Sequence, residues 1–189
     1  RNTALGYQAL NANTTGTRNT AAGFYALATN TTANDNTAFG DAALYLNTTG
    51  TYNVALGRAA LSANTTASNN TAVGYDALGD CTTGHSNVAV GHNAMNALTD
   101  ADENTAVGKD SLGALTTGNY NTAIGFESLA SATTSTQLVA VGRHALYSNS
   151  TGTQNTAVGR ASLFSNSTAD NNTAVGYNAL YANCLLYTS

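Results

Sequence analysis

The motif Asn2-Thr3-Ala4-Leu5-Gly6 opens the first of eleven copies of one unit, and the others open at Asn19, Asn36, Asn53, Asn70, Asn87, Asn104, Asn121, Leu138, Asn155 and Asn172. Every step is 17 residues, without insertion or deletion. A period this strict implies units stacked directly on one another, because a residue gained or lost in one copy throws all later copies out of register. The consensus is N-T-A-V-G-x-x-A-L-x-x-N-T-T-G-x-x. With its first Asn as position 1, position 3 is Ala and position 5 is Gly in all eleven copies, and position 9 is Leu in all but one, which has Met95.

A unit of 17 residues is too short for two-helix repeats of about 33–47 residues or a propeller blade of about 40. It suits one turn of a β-solenoid, two short strands joined by two bends. Positions 1–4, as in Asn70-Thr71-Ala72-Val73, have the β-branched content of a strand. Gly at position 5 supplies a bend with unrestricted φ. Positions 7–10, as in Asp76-Ala77-Leu78-Gly79, read as the second strand, and the segment Asn13 to Arg18 as the return turn. The invariant Gly and the dense Thr and Asn argue against a helix over A-L-x-x-N. The expected fold class is all-β: a single-stack parallel β-solenoid over residues 1–183, with eleven coils rising about 4.8 Å each to a rod on the order of 50 Å long.

In such a stack, residues 17 apart form columns. Position 4 (Leu5, Ala22, Phe39, Leu56, Val73, Val90, Val107, Ile124, Val141, Val158, Val175) and position 9 (Leu10 to Leu180) are expected to fill the core, and the unbroken Ala of position 3 to allow close approach of a neighbouring chain. Two such side chains per coil make a thin core, so backbone ladders, Ala methyls and lateral association are expected to add to it. Position 1 is Asn in ten copies and Leu138 in the other, an amide ladder of the kind that stabilises stacked β structure. Position 15 alternates without a miss: Gly16, Ala33, Gly50, Ala67, Gly84, Ala101, Gly118, Ser135, Gly152, Ala169. Asp35, Asp102, Glu103 and Asp170, in the turn that follows, all fall in non-Gly coils. Spacing of like charges and inheritance of a 34-residue unit both account for this alternation.

Ala, Thr and Asn number 35, 31 and 25 of 189 residues, while Leu, Ile, Val and Phe together number 32, a level that with high net charge marks disorder. Six basic and ten acidic residues give only −4, so the charge half of that rule fails. A single lysine, Lys109, excludes a nucleic-acid surface built on clustered cations. No apolar run approaches the roughly 20 residues of a membrane span, and the chain opens at Arg1 without a signal-peptide pattern, so no membrane contact is expected within this fragment.

The segments Ser86-Asn87-Val88-Ala89-Val90-Gly91 and Asn121-Thr122-Ala123-Ile124-Gly125-Phe126-Glu127-Ser128 resemble the N-S-V-A-I-G-x-x-S repeat of YadA-like heads in trimeric autotransporter adhesins. Ser111, Ser128 and Ser162 stand at the final Ser of that motif, where the other copies have Ala. The N-T-A-x-G-x-x-A-L pattern is also similar to repeats of phage-type tail-fibre proteins. The resemblance spans residues 2–183 and implies a left-handed parallel β-roll, three copies of which associate. This chain departs from the pattern in its longer coil and in the Leu that follows position 8. Residues 184–189, Cys184-Leu185-Leu186-Tyr187-Thr188-Ser189, break the register and resemble the conceptual translation of a sequencing adapter; the resemblance implies a non-native tail, and both chain ends are then expected to be cuts through a longer protein.

No residues are assigned to catalysis, a cofactor or a metal, and the ligand-binding residues are unknown. Cys81 replaces the usual Asn of position 12, and Cys184 falls in the tail, which leaves no disulfide framework and no C-x-x-C site. His85, His92 and His144 occupy variable surface columns. Asp100-Ala101-Asp102-Glu103 is the densest acidic group but lacks the repeated pattern of calcium-binding solenoids, and reads as a solvated turn. Asn13, Asn30, Asn47, Asn64, Asn149, Asn166, Asn69 and Asn171 head N-x-[ST] sequons that turn chemistry also explains. Tyr7, Phe24, Tyr25, Tyr45, Tyr75, Phe126, Tyr147, Phe164, Tyr177 and Tyr181 occupy positions 6, 7 and 10, where aromatics bind glycans or partners, or pack between subunits.

These readings point to a non-enzymatic fibrous and adhesive module, the head or shaft of a homotrimeric surface adhesin that meets a host-surface, matrix or glycan receptor. The expected location is extracellular, on a cell surface and anchored in the outer membrane through a missing region, or on a virion tail as a phage-type tail-fibre shaft. Other classes are an ice-binding solenoid, suggested by the Thr columns at positions 13 and 14, and a polymerising surface filament.

Overall fold

The computed structural model describes residues 1–182, so the tail 184–189 lies outside the described residues. Each coil contributes one short strand: β1 (Thr3–Leu5), β2 (Thr20–Ala22), β3 (Thr37–Phe39), β4 (Val54–Leu56), β5 (Thr71–Val73), β6 (Val88–Val90), β7 (Thr105–Val107), β8 (Thr122–Ile124), β9 (Val139–Val141), β10 (Thr156–Val158) and β11 (Thr173–Val175). They form one sheet in chain order with every neighbouring pair parallel. Register follows the repeat, so that Thr71, Ala72 and Val73 lie opposite Val88, Ala89 and Val90. The chain is an all-β solenoid of stacked 17-residue coils.

Positions 7–10 do not form the second strand expected of them. Positions 7 and 9 are left-handed in every copy, as at Asp76 (φ 54°) and Leu78 (φ 51°). Two consecutive turns result, closed by Gly79 N–H donating to Asp76 O at 3.3 Å and Cys81 N–H to Leu78 O at 3.2 Å. Bonds between coils survive this change, because Leu78 N–H donates to Ala94 O and Asp80 N–H to Asn96 O, each at 3.0 Å. A left-handed non-Gly residue costs roughly 1–2 kcal/mol. Here the cost is offset by the inter-coil bond and by complete burial of the position 9 side chain in the interior coils.

The strand faces are the reverse of the expectation. Ala38 and Ala123 of position 3 are fully buried, whereas Phe39 and Ile124 of position 4 are 47% and 41% exposed. Adjacent strand residues point to opposite sides, so Thr or Val of position 2 shares the outer face with position 4. Position 9 Leu and the Asn columns already occupy the interior, and a methyl group is what the strand can turn inward at close packing. The core is therefore built from Ala at 3, Ala or Ser at 8 and Leu at 9. Gly at position 5 is required twice over: Gly74 has φ +134°, and a methyl on it would overlap the Gly91 carbonyl in the next coil.

One side of the interior is polar. The Nδ2 of position 1 donates to the position 15 carbonyl of its own coil, as Asn53 does to Ala67 O at 2.9 Å. Its Oδ1 accepts the backbone N–H of the next coil, as Asn53 does from Asn70 at 3.0 Å. Position 12 forms a second ladder, in which Asn47 Nδ2 donates to Asn30 Oδ1 at 2.9 Å and Asn64 Nδ2 to Asn47 Oδ1 at 2.7 Å. That ladder stops at Cys81, and Leu98, Leu115 and Ala132 carry it on as an apolar column, fully buried throughout. Where Asn returns at Asn149, Ala132 offers no oxygen, and the Asn149 amide donates instead to Ser135 Oγ at 3.1 Å. Ser135 stands where the other non-Gly coils have Ala, so its hydroxyl compensates for the lost rung.

The alternation at position 15 has a packing cause. A methyl on Gly16, Gly50, Gly84, Gly118 or Gly152 would overlap the position 15 carbonyl of the coil that follows. The following coil then turns its position 16 side chain back onto the Gly coil. Thr17 N–H donates to Asn34 Oδ1 at 2.7 Å, Thr51 N–H to Ser68 Oγ at 3.0 Å, His85 N–H to Asp102 Oδ1 at 2.6 Å and Thr153 N–H to Asp170 Oδ1 at 2.6 Å. Asp102 and Asp170 are thus acceptors for exposed backbone donors. The same bond also runs the other way, from Ser68 N–H to His85 Nδ1 at 2.9 Å and from Asp102 N–H to Asn119 Oδ1 at 2.8 Å, so the two-coil period resides in the position 15 methyl and not in the position 16 bond.

Candidate functional site

The fold sorts the repeat into inward positions 1, 3, 8, 9, 12 and 15 and outward columns that any partner must meet. Columns 2 and 4 form the first outward surface, a strip along one side of the sheet. Column 2 contains Thr and Val only, and column 4 contains Leu, Ala, Phe, Val and Ile only. No charged or amide side chain interrupts the strip over eleven strands. Sequence reasoning missed this surface because it assigned position 4 to the core; the strand alternation about the invariant Ala was the signal that could have found it.

The second surface is column 6, which runs Tyr7, Phe24, Asp41, Arg58, Tyr75, His92, Lys109, Phe126, Arg143, Arg160, Tyr177. Four of the six Lys and Arg residues lie in it. Cations and rings stack from coil to coil: Arg58 lies 5.5 Å from the Tyr75 ring, Lys109 and Arg143 each 5.5 Å from Phe126, and Arg160 5.3 Å from Tyr177. Tyr75 in turn stacks on His92 at 5.2 Å. His92 and His144 therefore belong to an aromatic edge. His144 Nε2 lies 3.1 Å from Glu127 Oε2, without hydrogen-bond alignment, and its ring packs against Phe126, Tyr147 and Phe164. His85 lies apart from this edge and accepts the Ser68 N–H through Nδ1 at 2.9 Å.

The aromatic residues expected to meet ligands or subunits pack on one another within the chain. Tyr147, Phe164 and Tyr181 form a face-to-face column with centroids 5.1 Å and 4.9 Å apart. Tyr7 stacks on Phe24 at 5.3 Å. Stacking along the rod orders these rings against one another, while Tyr7, Phe24, Tyr75, Tyr177 and Tyr181 remain exposed. The sequons divide in the same way. Asn30, Asn47, Asn64, Asn149 and Asn166 are buried, and the amide nitrogens that a sugar would join are bonded to chain oxygens, whereas Asn69 and Asn171 are exposed. The position 13 hydroxyls, part of the motive for an ice-binding reading, are engaged with the next coil, as Thr48 Oγ1 is with Thr65 O at 2.9 Å. Ser111, Ser128 and Ser162 are buried and donate to Gly108, Gly125 and Gly159 carbonyls at 2.9, 3.0 and 2.9 Å.

Charge is segregated along the rod. Seven of the ten acids lie within residues 70–137, where Lys109 is the one Lys or Arg. Among the described residues no three His, Cys, Asp or Glu side chains come together as metal ligands, and in the Asp100 to Glu103 turn the Asp100 carboxylate accepts from Thr83 Oγ1 and the Asp102 carboxylate from the His85 N–H. Beside Arg18, hydrogen-bonded at 2.5 Å, the Asp35 carboxyl is held below the usual carboxylate range. Burial pushes the Cys81 thiol up to about 12, and it donates to Gly84 O at 3.4 Å. No helix is long and apolar enough to cross a membrane among the described residues. Comparison with protein-family models, curated proteins and solved structures gave no match.

Proposed function

We propose that this chain is a non-enzymatic, extracellular fibrous module, the head or shaft of a trimeric surface adhesin. Three copies pack through the strip of columns 2 and 4 and present their other columns for attachment. The uncharged strip carries this reading. It runs the length of the sheet, on the order of 50 Å, and the row of exposed Leu, Phe, Ile and Val side chains in column 4 is the kind of apolar surface that marks an association site. Outward Thr hydroxyls at position 2 and aliphatic groups at position 4 form an even surface that a parallel copy can meet coil for coil. The resemblance to YadA-like heads supports the same arrangement, and a phage-type tail-fibre shaft needs nothing different from the module itself.

Multi-angle light scattering on the protein and on the double variant Val107→Asp, Ile124→Asp tests the reading. Both side chains lie outward, at 36% and 41% exposure, so the variant keeps its coils. The expected result is a trimer at micromolar concentration for the parent and a monomer with unchanged circular dichroism for the variant. A monomeric parent, or a variant that associates as the parent does, overturns it.

A further inference from the structure

Arg143 and Arg160 occupy column 6 of adjacent coils, and the coils are joined there by Ala161 N–H donating to Arg143 O at 2.9 Å. Both side chains are exposed. The two backbones there are about 4.8 Å apart, and like charges carried on neighbouring coils repel each other unless something lies between or beside them. Of the other four Lys and Arg residues, the three inside the stack are answered with carboxylates: Arg18 with Asp35 at 2.5 Å, Arg58 with Asp41 at 3.6 Å and Lys109 with Asp110 at 2.9 Å, while Arg1 is at the chain end. Among the described residues neither Arg143 nor Arg160 has an ion-pair partner, although the protein is acidic overall. Glu127, the nearby acid of the neighbouring column, is turned to His144.

The pair is also held in place from both ends. Arg143 stacks on Phe126 from the coil before it, and Arg160 on Tyr177 from the coil after it, with Nη1 donating to the Tyr177 hydroxyl at 3.3 Å. The order along the column is ring, guanidinium, guanidinium, ring, and among the described residues neither guanidinium has a protein acceptor of negative charge. Guanidinium forks match the paired oxygens of an oxyanion, and ordering by the flanking rings reduces what binding must immobilise.

We propose that Arg143 and Arg160 form an oxyanion-binding site that takes a sulfate, phosphate or carboxylate group bridging the two guanidinium groups. The site is independent of the association surface, since column 6 lies outside columns 2 and 4. Titration of the full chain with sodium sulfate, with sodium phosphate and with sodium acetate, followed by the Nε–Hε resonances of arginine, tests it and separates tetrahedral from planar anions. Expected are saturable shifts at Arg143 and Arg160, affinity lowered about tenfold or more in Arg143→Gln and in Arg160→Gln, and no change in affinity in Arg58→Gln. Shifts that do not saturate, or that are as large at Arg58 as at the pair, overturn the site. Both substituted side chains are exposed, and the thermal midpoint of each variant checks that the coils remain intact.

Discussion

Cys81 interrupts the position 12 ladder in a way that leaves a mark on its neighbour: Asn64 Oδ1 is buried without a hydrogen-bond partner. Cys81→Asn extends the ladder by one rung, with the new amide reaching Asn64 Oδ1 and Gly84 O as the preceding coils do. The expected net change is below about 1 kcal/mol, because the rung gained at Asn64 is offset by the new Oδ1, which faces the buried Leu98 and finds no donor there, and denaturant unfolding reads it. In the parent the thiol is inert to alkylation at pH 8, because burial holds it protonated up to about pH 12, so labelling proceeds only as fast as the chain opens. The raised value also fixes the direction of linkage. Above the ordinary thiol value of 9.0 the unfolded chain releases a proton that the folded chain keeps. Stability contributed by this group is therefore complete below pH 9 and declines as pH rises toward 12. Leu138→Asn is the corresponding repair of the position 1 ladder, since Leu138 presents no oxygen to the Asn155 N–H.

Within each coil, stability depends on glycines that cannot be exchanged. Gly74→Ala introduces both a left-handed Ala and an overlap with the Gly91 carbonyl, and is expected to cost roughly 3 kcal/mol or more. Ala67→Gly, on the non-Gly side of the two-coil period, loses only a small buried methyl and some chain entropy, about 1 kcal/mol. Gly50→Ala, on the Gly side of that period, drives a methyl into the Ala67 carbonyl and is expected to cost clearly more, and unfolding midpoints that put Gly50→Ala and Ala67→Gly side by side would contradict the packing account of the alternation. The sequence announced the coil, the single stack and the roles of Gly at position 5 and Asn at position 1, because each of these follows from a period and a residue type. It did not disclose that positions 7–10 are turns. A coil of two strands and two bends assigns Asp76-Ala77-Leu78-Gly79 to a strand although Asp, Ala and Gly are poor strand formers, and only bonds to the coil above hold Leu78 at a left-handed φ that Leu does not favour by itself. The inversion of positions 3 and 4 was hidden for a related reason: Val and Phe are more hydrophobic than Ala, and hydrophobicity ranks side chains for the inside without showing how much space is left there. Cation and ring stacking in column 6 was hidden as well, because it joins residues 17 apart whose types differ from copy to copy.

Taken as a whole, the rod has an uncharged strip along one side, an aromatic and cationic edge, and an acidic middle. In-register association through the strip brings three acidic middles to the same height, and their mutual repulsion is screened by salt. Trimer formation is accordingly expected to strengthen between low and physiological ionic strength, a trend opposite to that of an assembly held by ion pairs, and sedimentation at two salt concentrations reads its sign. The claim on which this account depends most is that column 4 faces a neighbouring chain. Oxidative cross-linking tests it directly, using Val107→Cys in a Cys184→Ser background, with Thr117→Cys on another outward column as the control. The account predicts disulfide-linked dimers from the Val107→Cys chain and none from the control, and equal cross-linking of the two, or none from either, would contradict it.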